Sequence, residues 1–214
     1  MKSIDKKYLH WFQEGTLDKL RQELSASAAV VTSTDTVLGL LAPISQQGYL
    51  ALNQIKQRSE KPYLILIGSK DKIAHFVDMP LAGDVQRLID SCWPGPLTLL
   101  FKARPDAPDY VKGLQGTIAL RLPQHAGLLS LLALYDGLFS TSANSAGGAV
   151  PTNAAGLEQS IVGAVPYVVT DISDDKGDQP STILDCTGPM IRLVRQGAYP
   201  VSMLEQKYGI TIFR

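Results

Sequence analysis

The chain has 214 residues with 20 basic and 20 acidic side chains, a length that suits one domain over 1–214 and a balance that draws it to neither nucleic acid nor an anionic membrane. No window is long and apolar enough to span a bilayer, and residues 1–12 lack the apolar run of a signal peptide, so the expected setting is the cytoplasm. Two isolated cysteines, Cys92 and Cys186, support neither a disulfide framework nor a zinc site and read as small buried apolar residues.

Along the chain, Leu17, Leu20 and Leu24 recur at helical spacing after Thr16, and a β-rich run over 28–32 follows, leading into Ser33-Thr34-Asp35-Thr36. A second helix over 46–57 carries Tyr49, Leu52 and Ile55 on one side and brings Lys56 and Arg58 to its C-terminal end, before a core strand over 63–67. Ser69 can cap a short helix, and Val85, Leu88, Ile89 and Cys92 form a core-facing stripe over 81–92 that Pro94 and Pro96 stop. Strands are expected over 97–101 and 117–121, a Leu-rich helix over 127–135, and a strand over 138–142 that runs into a Gly147-Gly148 loop. Thr152 is placed to cap a helix near 153–161. Strands then follow over 167–170, 181–184 and 191–194, with a helix after Pro200 and a last strand over 210–213. The polar, acidic stretch 171–179 reads as a mobile loop. This alternation predicts an α/β fold, a mixed sheet flanked by helices, whose ligands bind at strand ends, where Thr36, Arg58, Arg121 and Ser142 fall.

Arg121 ends the apolar run Ile118-Ala119-Leu120, where a guanidinium needs an anion. Two readings stand open: an ion pair with one of the chain's own acids, or a bound carboxylate or phosphate. Lys56 and Arg58 taken alone read as a solvated pair at a helix end; beside Arg121 they suggest an anion site. Ser140, Thr141, Ser142 and Asn144 crowd more hydroxyl and amide groups into one turn than capping requires, which suits phosphate oxygens or a small polar ligand. Trp93-Pro94-Gly95-Pro96-Leu97-Thr98 reads as a rigid turn shaping a site wall. Phosphate-loop, dinucleotide, zinc-protease and hydrolase-elbow motifs are absent, and a Ser142/His125 hydrolase pair has no signature behind it.

The ordered segments Ser33-Thr34-Asp35-Thr36-Val37-Leu38-Gly39, Lys56-Gln57-Arg58, Trp93 to Thr98, Thr117 to Pro123, Ser140 to Asn144, Ser181 to Asp185 and Arg195-Gln196-Gly197 together resemble the YrdC-like threonylcarbamoyl-AMP synthases, in their short bacterial form. The resemblance implies a twisted YrdC-like sheet with a concave basic cavity. It also implies a reaction joining L-threonine, bicarbonate and ATP into threonylcarbamoyl-AMP with release of pyrophosphate, for modification of tRNA at position 37. It places threonine near Thr36, Arg121, Ser140 and Ser181, with Arg121 on the carboxylate. It places ATP near Lys56, Arg58, Thr117, Ser142, Asn144, the backbone of Val150, and Arg195, with Lys56 and Arg58 as the catalytic cations. Mg²⁺ is expected on the phosphates, with no metal held by protein ligands. Weak tRNA binding and a downstream threonylcarbamoyl transferase machinery are implied as partners, and no membrane. Ser33, Leu38 and Ala146 stand where the family usually has proline, tyrosine and serine, and Ile67 where some members have histidine; Leu38 and Ile67 bear on the threonine side. Two alternatives remain: an RNA-binding protein of this fold without adenylate synthesis, and a paralogue with a different carbamoyl-adenylate substrate.

Overall fold

The structure, a computed structural model, describes residues 7–57, 62–171 and 179–214. Ten strands join one sheet: β1 (Tyr8–His10), β2 (Val30–Thr32), β3 (Gly39–Pro43), β4 (Leu64–Leu66), β5 (Leu97–Lys102), β6 (Thr117–Arg121), β7 (Leu138–Ser142), β8 (Val168–Thr170), β9 (Thr182–Asp185) and β10 (Arg192–Arg195). Their order across the sheet is β1-β8-β2-β3-β7-β4-β6-β5-β9-β10. Parallel pairs (β1/β8, β2/β8, β4/β6, β5/β9) mix with antiparallel ones, as the clustering of strands late in the chain predicts.

Six α-helices pack on the sheet: α1 (Thr16–Ser25), α2 (Gln46–Lys56), α3 (Gly83–Cys92), α4 (Ala126–Leu132), α5 (Gln159–Ala164) and α6 (Val201–Tyr208). Strand side chains alternate between faces, so Leu40, Ile65 and Phe139 enter one apolar cluster while their neighbours Leu41, Leu66 and Leu138 enter another. The larger cluster spans the sheet and takes in Leu52 of α2, Leu88 and Ile89 of α3, Ile161 of α5 and Leu204 of α6. The smaller one, on the opposite face, joins Val30, Leu41, Leu138 and Val169 to α1 and α4 through Leu20, Leu24, Leu128 and Leu131. It ends near the middle of the sheet. Beyond it, the same face of β6, β5 and β9 presents Arg121, Ala119, Thr98, Leu100 and Ile183 to an open cavity.

Four expectations change. β1 and β3 arise in stretches where the sequence pattern shows no strand. β3 is buried on both faces, so it reads as an apolar run between Gly39 and Pro43 without alternation. In place of one helix near 153–161, a single 3₁₀ turn (Ala154–Gly156) capped by Asn153 rather than Thr152 precedes α5, which starts after Glu158. The segment over 210–213 is no strand: one bridge joins Phe213 to Arg192 along the outer edge of β10. Cys92 is buried, but Cys186 is only half-buried; burial pushes its thiol up to about 12, and neither cysteine is in a disulfide. Most of the loop expected over 171–179 lies outside the described residues.

α2 is held close to the end of β3. Ser45 caps it, accepting from the Gly48 N–H at 3.0 Å, and a Cβ on Gly48 would fall 2.2 Å from the Pro43 carbonyl oxygen. Helix propensity favours alanine over glycine by about 1 kcal/mol, yet here the contact is with backbone that cannot step aside. Gly48→Ala is expected to destabilise the protein by about 1–3 kcal/mol, seen as a lower Tm. An unchanged or higher Tm would show that α2 does not pack this closely.

Candidate active site

The uncovered half of the sheet face forms a cavity of about 390 Å³. Seven of the residues singled out in the sequence line it: Thr36, Arg121, Ser140, Ser142, Val150, Ser181 and Arg195. Its floor has two polar ends: the row Leu64, Ala119 and Leu100, in register across β4, β6 and β5, lies between Arg121 and Thr98 on one side and Ser142 on the other. Among the described residues the lining holds two arginines and no acid, with the Asp35 carboxylate behind it on Arg121.

At the deep end, Arg121 is 4 % exposed. Its Nη2 donates to Asp35 Oδ1 at 2.5 Å, Nη1 to Thr36 Oγ1 at 2.9 Å and Nε to the Gly95 carbonyl at 3.1 Å. Of the two open readings of Arg121, the structure shows the ion pair with an acid of its own chain; among the described residues two of its five N–H groups make no hydrogen bond. Burial pushes its pKa down, and the charge and hydrogen bond of Asp35 oppose that shift. The Thr34 hydroxyl donates to the Val37 carbonyl at 2.8 Å, so in its 3.1 Å contact with Thr36 the Thr36 hydroxyl is the donor. Thr36 thus offers the cavity an acceptor, suited to an N–H of a ligand.

Ser181 Oγ lies 2.7 Å from Thr98 Oγ1 across β9 and β5. Arg195 donates to the Ser181 carbonyl through Nη2 at 2.8 Å, and among the described residues no carboxylate pairs with it. Partial burial, and then the like charge of Arg121, lower its pKa, so an anion between the two guanidinium groups would relieve both effects. Thr182, fully buried behind this end, holds the Arg195-Gln196-Gly197 segment in place. Its hydroxyl donates to the Tyr199 carbonyl at 2.6 Å and accepts from the Gly197 and Tyr199 N–H groups at 2.9 and 3.1 Å.

At the outer end, Lys56 is buried rather than solvated. Its ammonium donates to the Ser142 carbonyl at 2.8 Å, to Asn144 Oδ1 at 3.1 Å and to the Asn144 carbonyl. Ser142 Oγ donates to Asn144 Oδ1 at 2.5 Å, and Asn144 Nδ2 to the Gly148 carbonyl at 2.6 Å. Glu158 accepts from the Ser145 N–H at 2.8 Å and from the Ser145 hydroxyl. These bonds, with Lys56 nearby, hold the Glu158 carboxyl below the ordinary glutamate range.

Four expected residues stand apart. Arg58 lies outside the described residues. Thr117 is on the cavity face of β6 but beyond the lining, its hydroxyl donating to the Leu114 carbonyl at 3.1 Å. Lys56 and Asn144 support the wall from behind Ser142 and do not line it. Leu38 and Ile67 belong to the larger core cluster on the far face, so these departures leave the cavity surface unaltered. Ser33 accepts from the Trp11 indole N–H at 2.9 Å and donates to Asp171 at 3.1 Å. His125 caps α4, its Nδ1 accepting from the Leu128 N–H at 3.1 Å, so Nε2 is the nitrogen that donates to Asp171, and it makes no pair with Ser142. Among the described residues no group of three His, Cys, Asp or Glu could hold a metal ion. The residues that sequence reasoning missed are Asp35, Thr98, Thr182 and Glu158; only the first two and Thr182 sit inside segments already singled out.

Residues 22–197 match the Sua5_yciO_yrdC family, described as telomere recombination. The chain is 32% identical over 164 residues to a threonylcarbamoyl-AMP synthase of Klebsiella pneumoniae, covering 74% of this chain and 85% of that protein. It is 33% identical over 176 residues to the threonylcarbamoyl-AMP synthase of Pseudomonas savastanoi, covering 80% and 93%. The solved structure of P. abyssi Sua5 complexed with L-threonine superposes with a TM-score of 0.81 at 25% identity over 96% of this chain; the chain spans 62% of that longer protein. E. coli YciO shares the fold, with a TM-score of 0.76 at 19% identity over 91% of this chain and 96% of that one.

Two measurements test this geometry. Asp35→Ala leaves the Arg121 guanidinium buried without its acid and is expected to cost about 3–5 kcal/mol in denaturant unfolding, part of it recovered when Arg121→Met is added. A loss near zero would mean that water reaches Arg121 through the cavity. The Glu158 carboxyl, followed by NMR, is expected to titrate below an ordinary glutamate and to move up in Ser145→Ala. Its lowered folded pKa means that its contribution is complete above the unfolded pKa and is lost as pH falls through the folded one.

Proposed function

The chain belongs to the Sua5/YciO/YrdC family, and on that premise we propose that it is an L-threonylcarbamoyladenylate synthase, a nucleotidyltransferase that joins L-threonine, bicarbonate and ATP. The observation that carries this reading is one cavity with two polar ends. The deep end offers Arg121 and an inward-committed Thr36 hydroxyl to an amino acid, with Arg195 beside them for phosphate; the outer end offers Ser142 and Val150 to a nucleotide.

In this reading the two spare N–H groups of Arg121 take the threonine carboxylate. Thr36 accepts from its nitrogen, and Ser140 and Ser181 close the pocket around it. ATP lies along the outer wall at Ser142 and Val150, with Asn144 behind that wall and Thr117 just beyond it, and Lys56, Arg58 and Arg195 supply positive charge. The threonine amine adds to carbon dioxide drawn from bicarbonate, with loss of water, giving a carbamate. A carbamate oxygen then attacks the α-phosphorus of ATP, forming the mixed anhydride as the bond to pyrophosphate breaks. The protein's contribution is orientation and stabilisation of the charge that builds on the phosphorus oxygens, without a covalent enzyme intermediate. Mg²⁺ is expected to be carried on the phosphates, where it would offset their charge, since hard divalent cations of this kind bind phosphate oxygens and water with few protein ligands. The product would pass to a threonylcarbamoyl transferase acting on tRNA, and the neutral net charge supports no more than weak tRNA contact here.

Pyrophosphate release from ATP, Mg²⁺ and bicarbonate is expected to depend on L-threonine and to be slower with L-serine. Arg195→Ala is the cleanest site variant because no carboxylate is stranded by it. It and Arg58→Ala should each depress turnover about ten- to a hundredfold, the loss of one or two charge-assisted hydrogen bonds. Release indifferent to the amino acid would assign a different carbamoyl acceptor, and salt-sensitive RNA binding without release would make the protein an RNA binder.

A further inference from the structure

The wall at Ser142 is one turn of chain held between opposite charges. On one side Lys56, at the end of α2, takes the carbonyls of Ser142 and Asn144 and the Asn144 side-chain oxygen. On the other, Glu158, the residue before α5, takes both the N–H and the hydroxyl of Ser145. Carbonyls thus point toward the cation and donors toward the carboxylate. The three N–H groups of the ammonium meet three acceptors of the turn, so Lys56 reaches a bound nucleotide through its charge and through the turn that it orders. Among the described residues Glu158 is the one carboxylate that grips this turn, and a Cβ on Gly148 would lie 3.2 Å from its Oε1, which shows how closely the turn folds over it. α2, which ends at Lys56, and α5, which Glu158 precedes, are in contact.

We propose that Glu158 is a positioning residue for the nucleotide end of the cavity: it holds Ser145 and so, through Asn144, fixes the Ser142 hydroxyl against which ATP lies. The inference rests on the synthase reading for the identity of the nucleotide. It concerns the outer end alone, because Arg121, Thr36 and Ser181 at the deep end share no partner with Glu158. A fold-wide role would weaken both ends together.

Calorimetric titration of wild type, Glu158→Ala and Glu158→Gln with ATP, and separately with L-threonine, decides the matter. Loss of a charge-assisted bond should weaken ATP binding about tenfold in Glu158→Ala while leaving threonine affinity unchanged. Glu158→Gln, which keeps an acceptor for the Ser145 N–H, should recover most of that loss. Hydrogen exchange at the Ser145 N–H should accelerate in Glu158→Ala. Unchanged ATP affinity in Glu158→Ala, or equal losses for ATP and threonine, would overturn the proposal. The synthase reading fails separately, when wild type releases no threonine-dependent pyrophosphate, and the comparison of ATP affinities still decides the role of Glu158.

Discussion

A guanidinium taken almost wholly out of water organises the deep half of this molecule. Arg121 must find hydrogen-bond acceptors for most of its donors, and the chain supplies three from two places: Asp35 and Thr36 in the connection between β2 and β3, and the Gly95 carbonyl beyond α3. That requirement ties the two connections to the end of β6. It also explains the glycine, since a Cβ at residue 95 would lie 2.6 Å from the Cys92 carbonyl oxygen and push away the turn that presents the acceptor. What remains of Arg121, which lines the cavity, is two N–H donors that make no bond among the described residues, already largely desolvated.

The cavity exists because one sheet face is only half covered. α1 and α4 bury the β8-β2-β3 side through the smaller apolar cluster, and the polar side chains of β6, β5, β9 and β7 continue the same face uncovered. The far face, packed by α2, α3, α5 and α6, carries the continuous core. Division of labour between faces lets residues such as Thr98 and Ser140 stay polar without disrupting packing, because their strand neighbours Leu99 and Phe139 point into the core.

Several residues that recur in the sequence as motif letters act here as braces. Thr182 gathers the Gly197 and Tyr199 backbone so that Arg195 comes to rest on the Ser181 carbonyl, and Gly197 has no room for a side chain because a Cβ would sit 2.2 Å from the Pro180 carbonyl oxygen. Lys56 and Glu158 do the same for the turn after β7. Buried polar groups of this kind are stabilising only when every donor and acceptor is met, which makes the segments interdependent although they lie far apart in the chain.

Local pattern alone was sufficient for most of the architecture. Periodicity placed α1, α2, α3 and the strands from β4 to β10, and alternation within β6 already put Ala119 and Arg121 on one face. Residue type at strand ends was enough to mark Arg121, Ser142 and Thr36 as candidates. The sequence was silent on β3, whose burial on both faces erases the alternation that identifies a strand. Nor does it assign partners. Asp35 meets Arg121 across 86 residues and Lys56 meets Asn144 across 88, and no local periodicity encodes a contact at that distance. Whether Lys56 faced water or the protein, and whether Arg121 found an acid within its own chain, depended on which turns the sheet order brought together, and only the tertiary structure decided that.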